Sequence, residues 1–61
     1  MKEIIKENGD AIRIQETEFK GKKYLDIRQF YMGDTEYLPT KKGVMIPIEL
    51  KDKIVDAITS L

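Results

Sequence analysis

The chain has 61 residues, with 11 basic and 11 acidic side chains and a net charge of zero. It contains neither cysteine nor histidine, which excludes disulfides, the usual zinc sites and catalytic triads built on a histidine base, so we expect no metal and no cofactor. A single domain of this size, here residues 1–61, buries only about 60% of its unfolded surface. We therefore expect the domain to be stabilised as a homodimer.

Positive charge is concentrated in the middle of the chain. Residues 19–43 carry six basic and three acidic side chains, whereas residues 1–18 have a net charge of −2 and residues 44–61 one of −1. The apolar stretches are too short to span a membrane, and the N-terminus lacks the apolar core of a signal peptide. These features predict a soluble, intracellular protein of the cytoplasm or nucleoid, without a membrane partner.

The first half of the chain predicts a series of short strands. Residues 3–7 read as a strand or arm, and residues 8–10, Asn-Gly-Asp, are typical of a turn because Asn and Gly accept positive φ. Residues 11–18 alternate apolar and polar side chains, with Ile12 and Ile14 on one face, which is the period of a half-buried strand.

The clearest strand follows a turn at Lys20-Gly21-Lys22. Residues 23–32 alternate so that Leu25 and Ile27 point toward the core while Arg28 points away from it. Strict alternation also places Arg28 and Tyr31 on opposite faces, so both meet one ligand only if a bulge or strong twist intervenes near Phe30.

The second half predicts a turn, a loop and a helix. Residues 33–35 turn the chain, and residues 39–43 are predicted to be a loop because Pro39 lacks the donor of a central strand. A short strand at residues 44–46 precedes a helical period from Ile48 onward, with apolar residues on one stripe. The predicted fold is α+β, a curved four-stranded antiparallel sheet followed by one C-terminal amphipathic helix.

The combination of lysines, an arginine and aromatic side chains on a small sheet is typical of surfaces that bind single-stranded nucleic acid. It occurs in residues 19–31 and continues in Lys41, Lys42 and Gly43. Tyr24, Phe30 and Tyr37 are instead interpreted as cross-strand packing residues, which is the commoner use of aromatics in sheets.

Three motifs in this order resemble the transcriptional coactivator family called positive cofactor four: Phe-Lys-Gly-Lys at 19–22, Asp-Ile-Arg at 26–28 and Lys-Gly at 42–43. The resemblance extends from about Ile12 to Leu61. It implies a homodimer in which the helices and the backs of the sheets form the interface, and in which the strands bind single-stranded DNA with little regard to sequence.

The resemblance also implies the residues of a DNA site. Phe19 and Tyr31 take the positions of base-stacking aromatics. Gly43 follows two lysines and has no side chain, so its neighbouring backbone amides can approach a phosphate closely. The implied phosphate ligands are Lys20, Lys22, Arg28, Lys41 and Lys42. Leu38 stands at a position that is basic in some relatives, and Asp10 and Ile12 also replace basic residues, which indicates a smaller electrostatic footprint.

Several functions remain open at this point. An enzyme is disfavoured, because the chain has no histidine, no cysteine and too little volume for a deep pocket. A protein-interaction module would use the helix stripe of Leu50, Ile54, Ile58 and Leu61 to dock a partner, such as a component of the transcription machinery. RNA binding would use the same cationic and aromatic surface, since nothing in the sequence identifies a reader of the 2′-hydroxyl.

Overall fold

The computed structural model describes all residues, 1–61, and has four strands followed by a helix. The strands form one antiparallel sheet in the order β1-β2-β3-β4, so every strand pairs with its neighbour in the sequence. The elements are β1 (Lys2–Ile5), β2 (Ala11–Phe19), β3 (Lys22–Met32), β4 (Tyr37–Pro47), a 3₁₀ turn (Ile48–Leu50) and α1 (Lys51–Thr59). The predicted fold class is confirmed.

The β2–β3 hairpin is the most regular part of the sheet. Its nine residue pairs run without interruption from Ala11 opposite Phe30 to Phe19 opposite Lys22. Only Lys20 and Gly21 lie between the strands, with φ of 52° and 77° respectively. Two-residue hairpin loops favour such positive φ values, because their twist matches that of the flanking strands.

The predicted loop at residues 39–43 is wrong. These residues belong to β4, an 11-residue strand that extends through both the predicted loop and the short strand predicted after it. β4 lies at the edge of the sheet, where a strand needs ladder hydrogen bonds on one side only, and Pro39 is tolerated there. The helical region also differs in detail, since a 3₁₀ turn precedes α1, which begins at Lys51.

The two faces of the sheet carry different side chains. We call one the Phe19 face and the other the isoleucine face. The Phe19 face is formed by alternate residues of β2 and β3, namely Ala11, Arg13, Gln15, Thr17, Phe19, Lys22, Tyr24, Asp26, Arg28, Phe30 and Met32. The isoleucine face carries Ile4, Ile12, Ile14, Leu25, Ile27, Val44 and Ile46.

Ala11 is the only buried residue of the isolated chain. Leu25 and Ile27, predicted to belong to the core, are half-buried on the isoleucine face. Helix α1 has no buried residue, and its Val55 and Ile58 are 51% and 60% exposed. A single chain therefore leaves its main apolar surfaces uncovered. The helix is also too short and too polar to cross a membrane.

Candidate nucleic-acid interface

One corner of the Phe19 face combines an exposed aromatic ring with lysines. Phe19 is 56% exposed at the end of β2, and the Lys20 Nζ lies 5.3 Å from the centroid of its ring. Lys22 is directly opposite Phe19 in the ladder, so its side chain leaves the same face. The short turn thus holds two cations and one flat apolar surface together, as base stacking with phosphate neutralisation requires.

Arg28 lies farther along the same face and is held by contacts with β4. Its Nη1 donates a hydrogen bond of 2.9 Å to the Thr40 carbonyl oxygen. Its side chain also lies across Gly43, where an added Cβ would come within 2.9–3.0 Å of the Arg28 Cζ, Cγ and Nη1 atoms. The structure therefore gives the glycine a packing reason, namely that the absence of a Cβ leaves room for Arg28.

Asp26 completes this part of the face. Its Oδ1 lies 3.6 Å from the Arg28 Nε, with the two side chains 15% and 27% exposed. That separation makes an ion pair but exceeds a hydrogen bond, and Oδ1 is the only buried side-chain oxygen or nitrogen of the chain without a hydrogen-bond partner. Asp26 is thus an electrostatic partner of Arg28, as expected for a carboxylate with no second acid beside it.

Lys41 and Lys42 lie in a bulge of β4. Arg28 is opposite Gly43 and Phe30 is opposite Pro39, so three β4 residues face the single residue Gln29 of β3. Thr40 fixes the bulge by donating its hydroxyl to the Gln29 carbonyl at 2.7 Å and by accepting a 3.1 Å hydrogen bond from the Lys42 amide. Both lysines are exposed, at the open edge of the sheet.

The other end of the Phe19 face is an internal cluster around Arg13. Its guanidinium carbon lies 4.5 Å from the Phe30 ring centroid and 5.4 Å from that of Tyr37, while its Nε pairs with Glu3 at 2.7 Å. Tyr37 also donates its hydroxyl to the Gly9 carbonyl at 2.8 Å. The predicted packing role of Phe30 and Tyr37 is confirmed. Arg13 was not singled out from the sequence, although alternation places it on the face away from Ile12 and Ile14; the observed pairing sets it opposite Arg28.

The structure does not bring Tyr31 to the Phe19 face. Tyr31 and Arg28 were expected to meet one ligand only with a bulge near Phe30. A bulge is present there, but its extra residues are in β4, and the pairing of β3 with β2 is uninterrupted. Tyr31 is 45% exposed and pairs with Leu38 on the side of the isoleucine face. It lies close to the edge strand that carries Lys41 and Lys42.

The predicted site residues thus form three groups. Phe19, Lys20 and Lys22 lie at the hairpin corner, Arg28 and Gly43 lie mid-face, and Lys41, Lys42 and Tyr31 lie at or near the β4 edge. Lys22 and Arg28 are six residue steps apart along the extended strand, a distance of about 20 Å. The chain has no group of three or more His, Cys, Asp or Glu side chains arranged to hold a metal ion.

A four-stranded antiparallel meander with one C-terminal helix and a cationic, aromatic face defines a class of small binding modules. Comparison with known proteins gives the family. Residues 6–57 match the sequence model of the family described as Transcriptional Coactivator p15 (PC4). The chain belongs to the PC4 family, which confirms the resemblance seen in its motifs.

Solved structures agree with this assignment. A PC4 homolog from Burkholderia pseudomallei has a TM-score of 0.88 and 25% identity, covering 97% of this chain and 81% of its own. A bacteriophage T5 homolog of the eukaryotic transcription coactivator PC4, implicated in recombination-dependent DNA replication, has a TM-score of 0.72 and 30% identity, covering 97% of this chain and 73% of its own. No curated protein sequence matches this chain.

Proposed function

We propose that the protein is a homodimeric, sequence-tolerant single-stranded DNA-binding protein that acts as a regulator of the transcription-coactivator type. Membership of the PC4 family supports this function, because the family resemblance implies single-strand binding. The phage T5 relative is implicated in recombination-dependent DNA replication, a process that exposes single strands. No enzymatic step is part of the proposal.

The observation that carries the proposal is the hairpin corner. Phe19 offers an apolar ring to solvent with Lys20 beside it and Lys22 opposite it. Phe19 is at the end of β2, beside the turn, and packing within the chain does not explain why so large an apolar ring is exposed there. Because only unpaired bases expose their faces for stacking, a platform of this kind favours single strands over duplex.

The proposed DNA binding uses two kinds of contact, phosphate neutralisation and base stacking. Lys20, Lys22, Lys41 and Lys42 are exposed and neutralise phosphates, releasing condensed counterions, so affinity falls as salt rises. Phe19 stacks on one base. Tyr31 stacks on a second base where the DNA strand passes over the β4 edge of the sheet. Arg28 meets a phosphate with the guanidinium N–H groups that its hydrogen bond to Thr40 leaves free.

The uncovered apolar surface supports the proposed homodimer. On the isoleucine face Ile4 and Val44 are 55% and 52% exposed, and α1 presents Val55 and Ile58 to solvent. A second copy of the chain placed on this side would bury both surfaces and would leave the Phe19 face free. Burial of such apolar area is the main stabilising term available to so small a domain.

The test is fluorescence anisotropy of a labelled oligothymidine of about 20 nucleotides, compared with a duplex of equal length across a salt series. The proposal expects tight, salt-sensitive binding of the single strand and weaker binding of the duplex. Equal affinity for both at moderate salt would contradict base stacking. Sedimentation of the protein without DNA tests the dimer. A monomer at the concentration used for the binding titration would contradict it.

The exposed apolar residues of α1 favour a second candidate, a protein-interaction module. In that case the helix docks a different protein, and single-stranded DNA neither binds nor alters the association. The third possibility is RNA binding, which competition with an RNA oligomer of matched sequence tests. Stronger binding of the RNA than of the DNA would assign the same surface to RNA.

A further inference from the structure

Of the four aromatic side chains on the Phe19 face, Tyr24 is the nearest to Phe19 and has no packing partner like those of Phe30 and Tyr37. Tyr24 belongs to the Phe19 face, where it is opposite Thr17 of β2 and Pro47 of β4. Phe30 is covered by the Arg13 guanidinium, and Tyr37 is fixed by Arg13 and by its hydrogen bond to Gly9. Tyr24 has neither kind of contact and is half-exposed.

Tyr24 lines a cavity whose wall includes the unpaired cation Lys22. The cavity has a volume of about 360 Å³ and is formed where the β2–β3 turn meets the end of β4. Its lining residues are Lys22, Lys23, Tyr24, Pro47 and Glu49. Lys23 is paired with Glu16 at 3.7 Å, which leaves Lys22 as the unpaired cation of the lining. A tyrosine ring and a proline ring give the cavity flat apolar walls.

The position of this cavity relative to Phe19 is fixed by the ladder. Phe19 is opposite Lys22, and Tyr24 is two residues farther along β3 on the same face. Diagonal neighbours of this kind are about 7–8 Å apart, roughly twice the rise of about 3.4 Å per nucleotide along one strand of duplex DNA. Two rings at that spacing suit neighbouring bases of a stretched single strand.

We propose that Tyr24 is a second base-stacking platform, and that with Lys22 and Pro47 it forms a subsite for the nucleotide next to the one stacked on Phe19. This inference rests on the proposed single-strand binding and adds a residue that the family motifs do not assign. It also assigns different partners to the aromatics, because Phe19 works with Tyr24 on one face while Tyr31 lies on the other.

The chain offers a direct optical test, because it contains no tryptophan. In a Tyr24→Trp variant the new indole is the only one, and stacking of a base on it would quench its fluorescence. Titration with oligothymidine is expected to quench the emission substantially, as it would in a Phe19→Trp reference variant. An emission unchanged at saturation, judged by anisotropy of the same complex, would overturn the inference.

Affinity provides the second readout. Tyr24→Leu keeps apolar bulk and removes the ring, so oligothymidine binding is expected to weaken about five- to tenfold, at the low end of one stacked base. Tyr24→Phe should bind as the wild-type protein does. Tyr37→Leu is the matched control, since it removes a ring from the same face at the Arg13 cluster and should leave the affinity of the folded protein unchanged.

The outcomes separate this inference from the proposed function. If Phe19→Leu weakens binding and Tyr24→Leu does not, the Tyr24 subsite is wrong and single-strand binding stands. If the wild-type protein binds no single strand, both are wrong. If Tyr24→Leu fails to fold, as circular dichroism would reveal, the fluorescence of Tyr24→Trp decides the matter alone.

Discussion

The two faces of the sheet differ in how their side chains are satisfied. On the Phe19 face the two arginines are held within the chain, Arg13 by Glu3 and Arg28 by Asp26 and Thr40, and only Lys22 at the end has no ion pair. On the isoleucine face the apolar side chains are half-buried or exposed and have no covering layer, and polar residues such as Glu16 and Lys23 lie toward the turn. A face with internal pairing is stable in water and can offer binding groups at its ends, whereas an uncovered apolar face requires a partner surface.

The largest expected effect tests the uncovered side. Ile58→Lys places a charge in the apolar stripe of α1, and each dimer would lose two buried isoleucine side chains, about 3–6 kcal/mol in all. Sedimentation should show monomer, and thermal unfolding should begin at lower temperature. Asp56→Lys is the control, because it introduces the same charge elsewhere on the exposed helix. An intact Ile58→Lys dimer would place the interface elsewhere.

The next effect tests the Phe19 face. Phe19→Ala removes the exposed ring and should weaken oligothymidine binding by one to two orders of magnitude, corresponding to roughly 1–3 kcal/mol for one stacked base. Because Phe19 is 56% exposed, the free energy of unfolding should change by less than about 0.5 kcal/mol. Met32→Ala is the control at a similarly exposed position, 52%, at the far end of the same face. Unchanged DNA affinity in Phe19→Ala would remove the stacking role.

A third prediction concerns the contact of Arg28 with Gly43. Gly43→Ala would force the arginine away, since the new Cβ would lie 2.9–3.0 Å from three of its atoms, and overpacking of this kind costs about 1–3 kcal/mol of stability. Chemical denaturation measures the loss. The double variant Gly43→Ala/Arg28→Ala should be less destabilised than the sum of the single variants. Strict additivity would show that the contact is unimportant.

The smallest of these effects concerns single lysines of the bulge. Lys42→Gln should lower oligothymidine affinity a few-fold at low salt and reduce the slope of log affinity against log salt by about 0.7, the contribution of one phosphate contact on a single strand. Lys53→Gln on α1 is the control for loss of a surface charge. An unaltered slope in Lys42→Gln would leave the bulge outside the DNA path.

Local sequence patterns were sufficient to predict the strands of the regular hairpin. Ile12 and Ile14 alternate with polar residues, as do Leu25 and Ile27, and the Lys20-Gly21-Lys22 turn separates the two runs. Such patterns depend on neighbours along the chain, and the observed β2 and β3 follow them closely. The family motifs likewise lie in this hairpin or beside it.

What could not be predicted depends on contacts between distant segments. The position of β4 at the edge decides that Pro39 is tolerated, and no local signal gives that position. Glycine is needed at position 43 because the Arg28 side chain lies across it. The bulge depends on the hydrogen bond from Thr40 to the Gln29 carbonyl. Tyr24 could not be told apart from Phe30 and Tyr37 until the position of Arg13 was known.

The Lys20-Gly21 turn has a consequence for how this protein tolerates mutation. Lys20 has a φ of 52°, a conformation that costs an ordinary side chain roughly 1–2 kcal/mol and that Asn adopts more readily. Lys20→Asn should therefore raise the midpoint of thermal unfolding while weakening DNA binding. A more stable variant with undiminished affinity would show no conflict between the two. At this residue, selection for higher folding stability and selection for higher DNA affinity would favour different side chains.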